Sequence, residues 1–171
     1  MGFDIALSCS AIACTATLNG WNVSGDPNAT EYADQPEDAN GFDLASACIV
    51  RDCISSRNKG NGFRGFANGW IIGNKAHENA LAGISCQSSD TQIEGNQSTN
   101  NGHHGIQASR AGSLIFGNRA TVNGTNESAT PPGENNYDIV TTTTYGPVVS
   151  AGSGDISGTA NSNHPMANFE Y

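Results

Sequence analysis

The adjacent histidines His103 and His104 are the residues whose type points most directly to chemistry. An imidazole titrates near neutral pH and can act as a general base. His104 lies six residues before Arg110, a cation that can neutralise a carboxylate. The alternative is an exposed turn, since Gly105 follows His104 directly. We favour the exposed turn and keep His103, His104 and Arg110 as the candidates for catalysis.

The acidic residues Asp26, Asp34, Glu37 and Asp38 form a second candidate site. Carboxylates are hard oxygen ligands of the kind that bind calcium, but this spacing matches no calcium-loop motif. We therefore favour a solvated acidic loop, keep calcium as the alternative, and expect no other cofactor. The five cysteines include no Cys-x-x-Cys pair, which argues against a zinc site.

A sequence repeat of 21 or 22 residues sets the elements that must position these side chains. Asn74, Asn96 and Asn118 each follow a glycine and are 22 residues apart. Three further rows keep nearly the same period: Asn58, Asn79, Asn101 and Asn123; Gly41, Gly62, Gly83 and Gly105; and Val50, Ile71, Ile93 and Ile115. A period shared by four rows indicates a repeat architecture.

Each repeat is too short for two well-formed helices and is rich in Gly, Asn, Ser and Thr, which favour turns. Short apolar segments such as Ser113–Phe116 fit strands of about three to five residues. The repeat therefore predicts an all-β fold, a single-stranded right-handed parallel β-helix. About five to six coils would stack at the ~4.8 Å strand spacing.

The whole chain, residues 1–171, is expected to form one domain. Gly2–Ala6 recurs as Gly41–Ala45 at an offset of 39 residues, so the first coil carries an insertion loop at about 22–40. A stretch with adjacent prolines predicts a second loop at about 127–135. The tail, about 141–171, loses the period and should cap the open end of the stack.

Stacking places equivalent residues above one another, and we expect each row to have its own structural role. The aliphatic row and the row of Phe42, Phe63, Ile84 and Ile106 should fill the interior, while the asparagines should hydrogen-bond from coil to coil. Cysteines at equivalent positions should stack as buried thiols rather than disulfides. The pairs are Cys9 with Cys48 and Cys14 with Cys53, and Cys86 should be buried in a third position.

Strand alternation predicts an apolar stripe on one outer face. If the row containing Ile71 points inward, the residues on either side of each member point outward. Contiguous exposed apolar patches usually mark an interface. Three interpretations stay open: the terminal segment covers the stripe, a second copy packs on it, or Trp70 stacks on a sugar ring. The stripe comprises Ile49, Trp70, Ile72, Leu114 and Phe116.

Charge and composition exclude several partners. The net charge is −9 with only seven Lys plus Arg, which argues against a nucleic-acid partner. No apolar run could insert into a membrane, and the N-terminus lacks the features of a signal peptide. Low Lys content with abundant Asn, Ser, Thr and Gly favours an extracellular or cell-surface location, in a bacterial or phage protein.

The segment Ile93–Asn96, followed by Asn101–Ile106, resembles the repeat of bacterial right-handed parallel β-helix proteins. That broad group includes polysaccharide lyases, mannuronan epimerases and periplasmic copper-maturation proteins. The similarity covers about residues 41–126 and is closest to uncharacterised members. It implies a polysaccharide ligand. The Asp-Pro-His motif of the epimerases is absent, because Asn28 follows Asp26 and Pro27.

The function expected first is a non-catalytic extracellular or surface module, structural or polysaccharide-binding. One alternative is an enzyme similar to a polysaccharide lyase or epimerase, with His104 as base and Arg110 as the charge-neutralising group. Another is a self-assembling component of a larger particle or fibre, joined as a homo-oligomer. The repeat specifies a fold and leaves these functions open.

Overall fold

The structure of the protein is a computed structural model that describes residues 2–20, 39–65, 67–124, 136–140, 143–150 and 164–170. These ranges contain nineteen β-strands and no α-helix. In chain order the strands are β1 (Phe3–Ile5), β2 (Ser10–Ile12), β3 (Thr15–Thr17), β4 (Phe42–Leu44), β5 (Ile49–Arg51), β6 (Ile54–Ser56), β7 (Phe63–Gly65), β8 (Trp70–Ile72), β9 (Lys75–His77), β10 (Ile84–Cys86), β11 (Gln92–Glu94), β12 (Gln97–Thr99), β13 (Ile106–Ala108), β14 (Leu114–Phe116), β15 (Arg119–Thr121), β16 (Tyr137–Ile139), β17 (Thr144–Tyr145), β18 (Val148–Ser150) and β19 (Asn168–Glu170).

The strands form three parallel sheets, and each of the first five coils contributes one strand to each sheet. The first sheet has the order β1-β4-β7-β10-β13-β16, and the second has the order β17-β14-β11-β8-β5-β2. The third has the order β18-β19-β15-β12-β9-β6-β3. Every third strand therefore returns to the same sheet, which confirms the parallel β-helix, with five complete coils and a sixth that ends irregularly.

The predicted aliphatic row stacks in register inside the second sheet. Val50 pairs with Ile71, Ile71 with Ile93, and Ile93 with Ile115. All four side chains are buried. Each sits at the middle of a three-residue strand, so its two neighbours point outward. The offset of 39 is also confirmed, because Phe3 pairs with Phe42.

The interior of the first sheet contains a column of aromatic rings. Phe42 lies between Phe3 and Phe63, with ring centroids 4.9 Å apart on both sides. The planes differ by only 7° and 13°, so the three rings stack almost in parallel. The column continues through the aliphatic side chains of Ile84 and Ile106.

The asparagine rows form hydrogen-bonded ladders at the corners of the coil. The backbone N–H and the Nδ2 of Asn74 both donate to Asn96 Oδ1, at 2.8 and 3.1 Å. Asn96 donates in the same way to Asn118 Oδ1, at 2.9 and 3.0 Å. The glycine before each asparagine makes the turn possible, since Gly95 has a φ of 63°, in the left-handed region. The row of Asn58, Asn79, Asn101 and Asn123 repeats this pattern.

The second glycine row is required by close packing instead. A Cβ on Gly83 would overlap the Ser98 hydroxyl and lie 2.7 Å from Asn101 Nδ2 and 2.8 Å from the Gly105 carbonyl. The Ser98 hydroxyl already donates to that carbonyl at 2.8 Å. Glycine is thus the residue that lets a corner of one coil approach the next.

All five cysteines are free thiols, but only three are buried. Cys48, Cys53 and Cys86 are buried as predicted, and Cys86 stacks between Gly65 and Ala108. The prediction of buried pairs is wrong for the partners in the first coil. Cys9 is exposed and Cys14 is half-buried, because coils pack on their equivalents from both sides whereas the first coil is covered on one side only.

The tail adds strands to the stack, as a cap would. β17 pairs with β14, whereas β19 lies between β15 and β18 in the third sheet. Val149 and Ala167 are buried there. The loop predicted at about 127–135 lies outside the described residues, as does the loop at about 22–40 except for its last two residues, Ala39 and Asn40, which are buried.

Candidate functional site

The outer face of the second sheet carries the predicted apolar stripe. Trp70 exposes 50% of its surface, the most of any stripe residue. In the strands β5, β8 and β14 the middle residue is buried and its neighbours reach the surface. The structure thus brings the five predicted stripe residues onto one face: Ile49, Ile72, Leu114 and Phe116 are half-buried around Trp70.

Two polar residues lie between the two apolar parts of this face. Gln92 lies in register between Trp70 and Leu114, and Glu94 lies between Ile72 and Phe116. Gln92 Nε2 donates to Glu94 Oε2 at 2.7 Å, which fixes both side chains. The amide oxygen of Gln92 and the second carboxylate oxygen of Glu94 take no part in this bond. Strand alternation in the sequence predicts outward positions for both residues, but not their contact with each other.

The outward strand positions of this face carry few charges although the chain is strongly acidic. Among the outward positions of the described strands in the second sheet, Arg51 is the only cation and Glu94 the only carboxylate. Arg51 Nε lies 3.4 Å from the carboxylate of its neighbour Asp52, and both are exposed. A net charge of −9 therefore acts on a ligand here only from a distance.

His104 has an acidic neighbour that the sequence did not indicate. Its Nε2 lies 3.5 Å from Asp138 Oδ2, and its side chain is only 15% exposed. Gln107 Nε2 donates to the same carboxylate oxygen at 3.0 Å. His103 is half-buried in the same turn.

The structure does not bring Arg110 to His104. Arg110 is exposed beyond the far end of β13, whereas His104 precedes that strand. The two side chains therefore start from opposite ends of β13, up to about 20 Å apart along an extended chain. A site that uses both groups on one substrate atom does not fit this arrangement.

Asp138 belongs to a polar row on the outer face of the first sheet. The row contains one residue per coil and is internally paired. Arg64 Nη1 lies 3.7 Å from Asp43 Oδ2, and Ser85 Oγ donates to Gln107 Oε1 at 3.2 Å. Because members of the row contact each other between neighbouring coils, the row fits a structural polar ladder as well as a site. Its members are Asp4, Asp43, Arg64, Ser85, Gln107 and Asp138.

The calcium candidates Asp26, Asp34, Glu37 and Asp38 lie outside the described residues. Within the described ranges, no three His, Cys, Asp or Glu side chains come together as a metal site would require. The same ranges include no helix that is long and apolar enough to cross a membrane.

Comparison with known proteins finds no match to this chain, whether among protein-family models, curated proteins or solved structures. The resemblance to bacterial β-helix proteins therefore stays a prediction. The function has to be argued from the chain's own residues.

Proposed function

We propose that this protein is a polysaccharide-binding module, located outside the cell or at its surface, whose site is the outer face of the second sheet. The observation that carries this proposal is the half-exposed indole of Trp70 next to the hydrogen-bonded pair of Gln92 and Glu94. A flat aromatic surface beside fixed polar groups is the combination that recognises sugars, which have apolar faces and hydroxyl edges.

The indole would supply the apolar contact. Trp70 projects from β8, a strand paired on both sides within the sheet, so its backbone is held by β5 and β11. Ile49 and Ile72 flank it and extend the apolar surface. A pyranose ring stacked on the indole would cover apolar surface that is otherwise in water.

The polar pair would supply the directional contacts. Register places Gln92 one strand spacing from Trp70, about 4.8 Å along the stack. That is within reach of the hydroxyls of a ring seated on the indole. Because their mutual hydrogen bond already orders Gln92 and Glu94, little side-chain entropy is lost when a sugar binds.

The charge balance favours a neutral glycan. The face offers one cation and one carboxylate, whereas a uronate polymer would meet the field of a chain with net charge −9. We expect neutral polysaccharides to bind at low salt, and polyuronates to bind only when added salt screens the repulsion.

Affinity electrophoresis and calorimetry with a panel of neutral glucans, mannans and xylans test this proposal. Trp70→Ala should weaken binding at least tenfold, which corresponds to about 1.4 kcal/mol for one lost stacking contact. Ile54→Ala is the matched control, because Ile54 is an exposed apolar residue (42%) on the third sheet.

Two outcomes would refute the proposal. One is a wild-type protein that binds no glycan of the panel. The other is an oligomer in solution that Trp70→Ala dissociates, which would make the face an interface between copies of this chain.

A second candidate function, polysaccharide lyase or epimerase, is supported by the pairing of His104 with Asp138. A carboxylate next to an imidazole can hold the ring in a fixed orientation, which a general base needs in order to reach its substrate. The test is the absorbance of unsaturated products after alginate, pectate or hyaluronan is added. Activity that His104→Ala removes would support it, and a flat trace with all three polymers would exclude a lyase.

A further inference from the structure

The shape of the second sheet limits how a long ligand can lie on it. Every strand from β2 to β14 is three residues long, so only two side chains per strand face outward. Two outward residues span about 7 Å, roughly the width of one sugar ring. Across the strands, in contrast, the face continues through every coil. A polymer gains further contacts only by crossing the strands.

A second apolar patch lies in that direction. Leu114 follows Trp70 by two coils in one outward column, and Phe116 follows Ile72 by two coils in the other. Two strand spacings amount to about 10 Å. The polar pair of Gln92 and Glu94 lies between the two patches.

The sequence of surfaces along the stack is therefore aromatic, polar, aromatic. Trp70 is exposed, and the ring of Phe116 is half-buried but faces outward. An extended glycan chain presents the same alternation, because ring faces are apolar while hydroxyls and linkages are polar. The distance between the patches is about the length of two linked sugar rings.

We propose that the face binds an extended neutral glycan that runs along the β-helix axis, with Trp70 and Phe116 as two stacking platforms and Glu94 as the hydroxyl acceptor between them. This inference rests on the proposed function and adds the ligand's direction, its minimum length and a second aromatic contact. A disaccharide covers one platform, whereas a chain of three or four rings reaches both.

The test is the affinity of the intact protein for neutral oligosaccharides of increasing length, taken from whichever polysaccharide binds. Affinity should rise at least tenfold between two and four or five rings and then level off. Phe116→Leu removes the ring but keeps an apolar side chain, so it should abolish that rise. Trp70→Ala should weaken binding at every length.

The controls separate the two proposals. Ile54→Ala should leave both affinity and its length dependence unchanged, and thermal unfolding should show that Phe116→Leu is folded. If Trp70→Ala weakens binding while affinity does not depend on length, or while Phe116→Leu retains the full dependence, the two-platform arrangement is wrong and the binding function stands. If no glycan binds the wild-type protein, both are wrong.

Discussion

Asn168 lies directly above Asn118 in an asparagine ladder, although 50 residues of sequence separate them. The backbone N–H and Nδ2 of Asn118 both donate to Asn168 Oδ1, at 3.1 and 3.0 Å. In return, Asn168 Nδ2 donates to the Ile115 and Gly146 carbonyls, at 3.2 and 2.9 Å. One buried side chain thus joins the last strand to the fifth coil and to the segment between β17 and β18.

Replacing this residue tests whether it holds the tail in place. Asn168→Ala leaves the buried backbone N–H of Asn118 without its acceptor, at a cost of about 1–3 kcal/mol. The Nδ2 of Asn118 keeps the carbonyls of Ile93 and Phe116 as acceptors. We expect hydrogen exchange at residues 164–170 to accelerate at least tenfold, while the strands from β4 to β14 keep their protection. Met166→Ala is the control, since Met166 is exposed. Equal exchange in both variants would contradict this role.

The repeating part of the fold could be predicted from the sequence because each coil restates the same constraints. Ile71, Ile93 and Ile115 each lie at the centre of a strand, and the period of 21 or 22 residues places them in register. Because several rows share one period, a wrong assignment at one position is revealed by its disagreement with the other rows. The same reasoning located Trp70 on the outer face.

The irregular end could not be predicted, because it depends on contacts that no period encodes. Asn136 accepts from Asn123 Nδ2 at 2.9 Å although only 13 residues separate them. Asn168 ends the other ladder in the same way, 50 residues after its partner Asn118. Both asparagines end a ladder at a spacing unrelated to the repeat, and the sequence gives no reason to pair them.

The candidate site shows the same division. The outward columns follow from strand alternation, but the hydrogen bond from Gln92 to Glu94 depends on the rotamers of two long side chains. The contact between His104 and Asp138 joins a regular coil to the irregular sixth one. Sequence reasoning therefore paired His104 with Arg110, its neighbour along the chain, which lies at the other end of the strand.

The two types of glycine position that recur in the repeat should respond differently to an added methyl group. A Cβ on Gly83 would overlap Ser98 and approach Asn101, so Gly83→Ala should lower the free energy of unfolding by more than about 3 kcal/mol. Gly95 has a φ of +63° with no atom within 4 Å of the added position, so only backbone strain of about 1 kcal/mol opposes Gly95→Ala.

Urea unfolding monitored by circular dichroism would compare the two variants. Gly95→Asn supplies a further control, because asparagine tolerates the left-handed conformation better than alanine. It should be the mildest of the three substitutions. Equal destabilisation by Gly83→Ala and Gly95→Ala would show that the close approach between coils is not what requires glycine.

Because the thiol of Cys86 is buried, we expect the protein to lose stability at alkaline pH. Burial raises the pKa of Cys86 from 9.0 to about 12 in the folded protein. As pH rises, the unfolded chain therefore releases this proton before the folded protein does. The contribution of the protonated thiol to the free energy of unfolding is complete below pH 9 and is lost as pH rises from about 9 to 12. The slope from this one group is about 1.4 kcal/mol per pH unit.

Cys86→Ala should flatten that part of the profile of unfolding free energy against pH. The substitution suits the site, because Gly65 and Ala108 occupy the same column in the neighbouring coils. Burial also raises the pKa of Cys53, so some alkaline dependence should remain. Cys9→Ala, at an exposed thiol, is the matched control, and a profile that Cys86→Ala leaves unchanged would exclude this assignment.

The aromatic column should be most sensitive at its middle ring. Phe42 is fully buried between two stacked rings, whereas Phe3 exposes 41% of its surface. Phe42→Ala removes contacts on both sides and leaves a cavity, so we expect a loss of about 3–5 kcal/mol. Phe3→Ala removes one stacking partner, and the remaining space opens to solvent, so the loss should be about half as large. Urea unfolding of both variants would measure the difference, and a larger loss for Phe3→Ala would contradict this explanation, because it would mean that the Phe3 ring is more buried in solution than its exposed surface indicates.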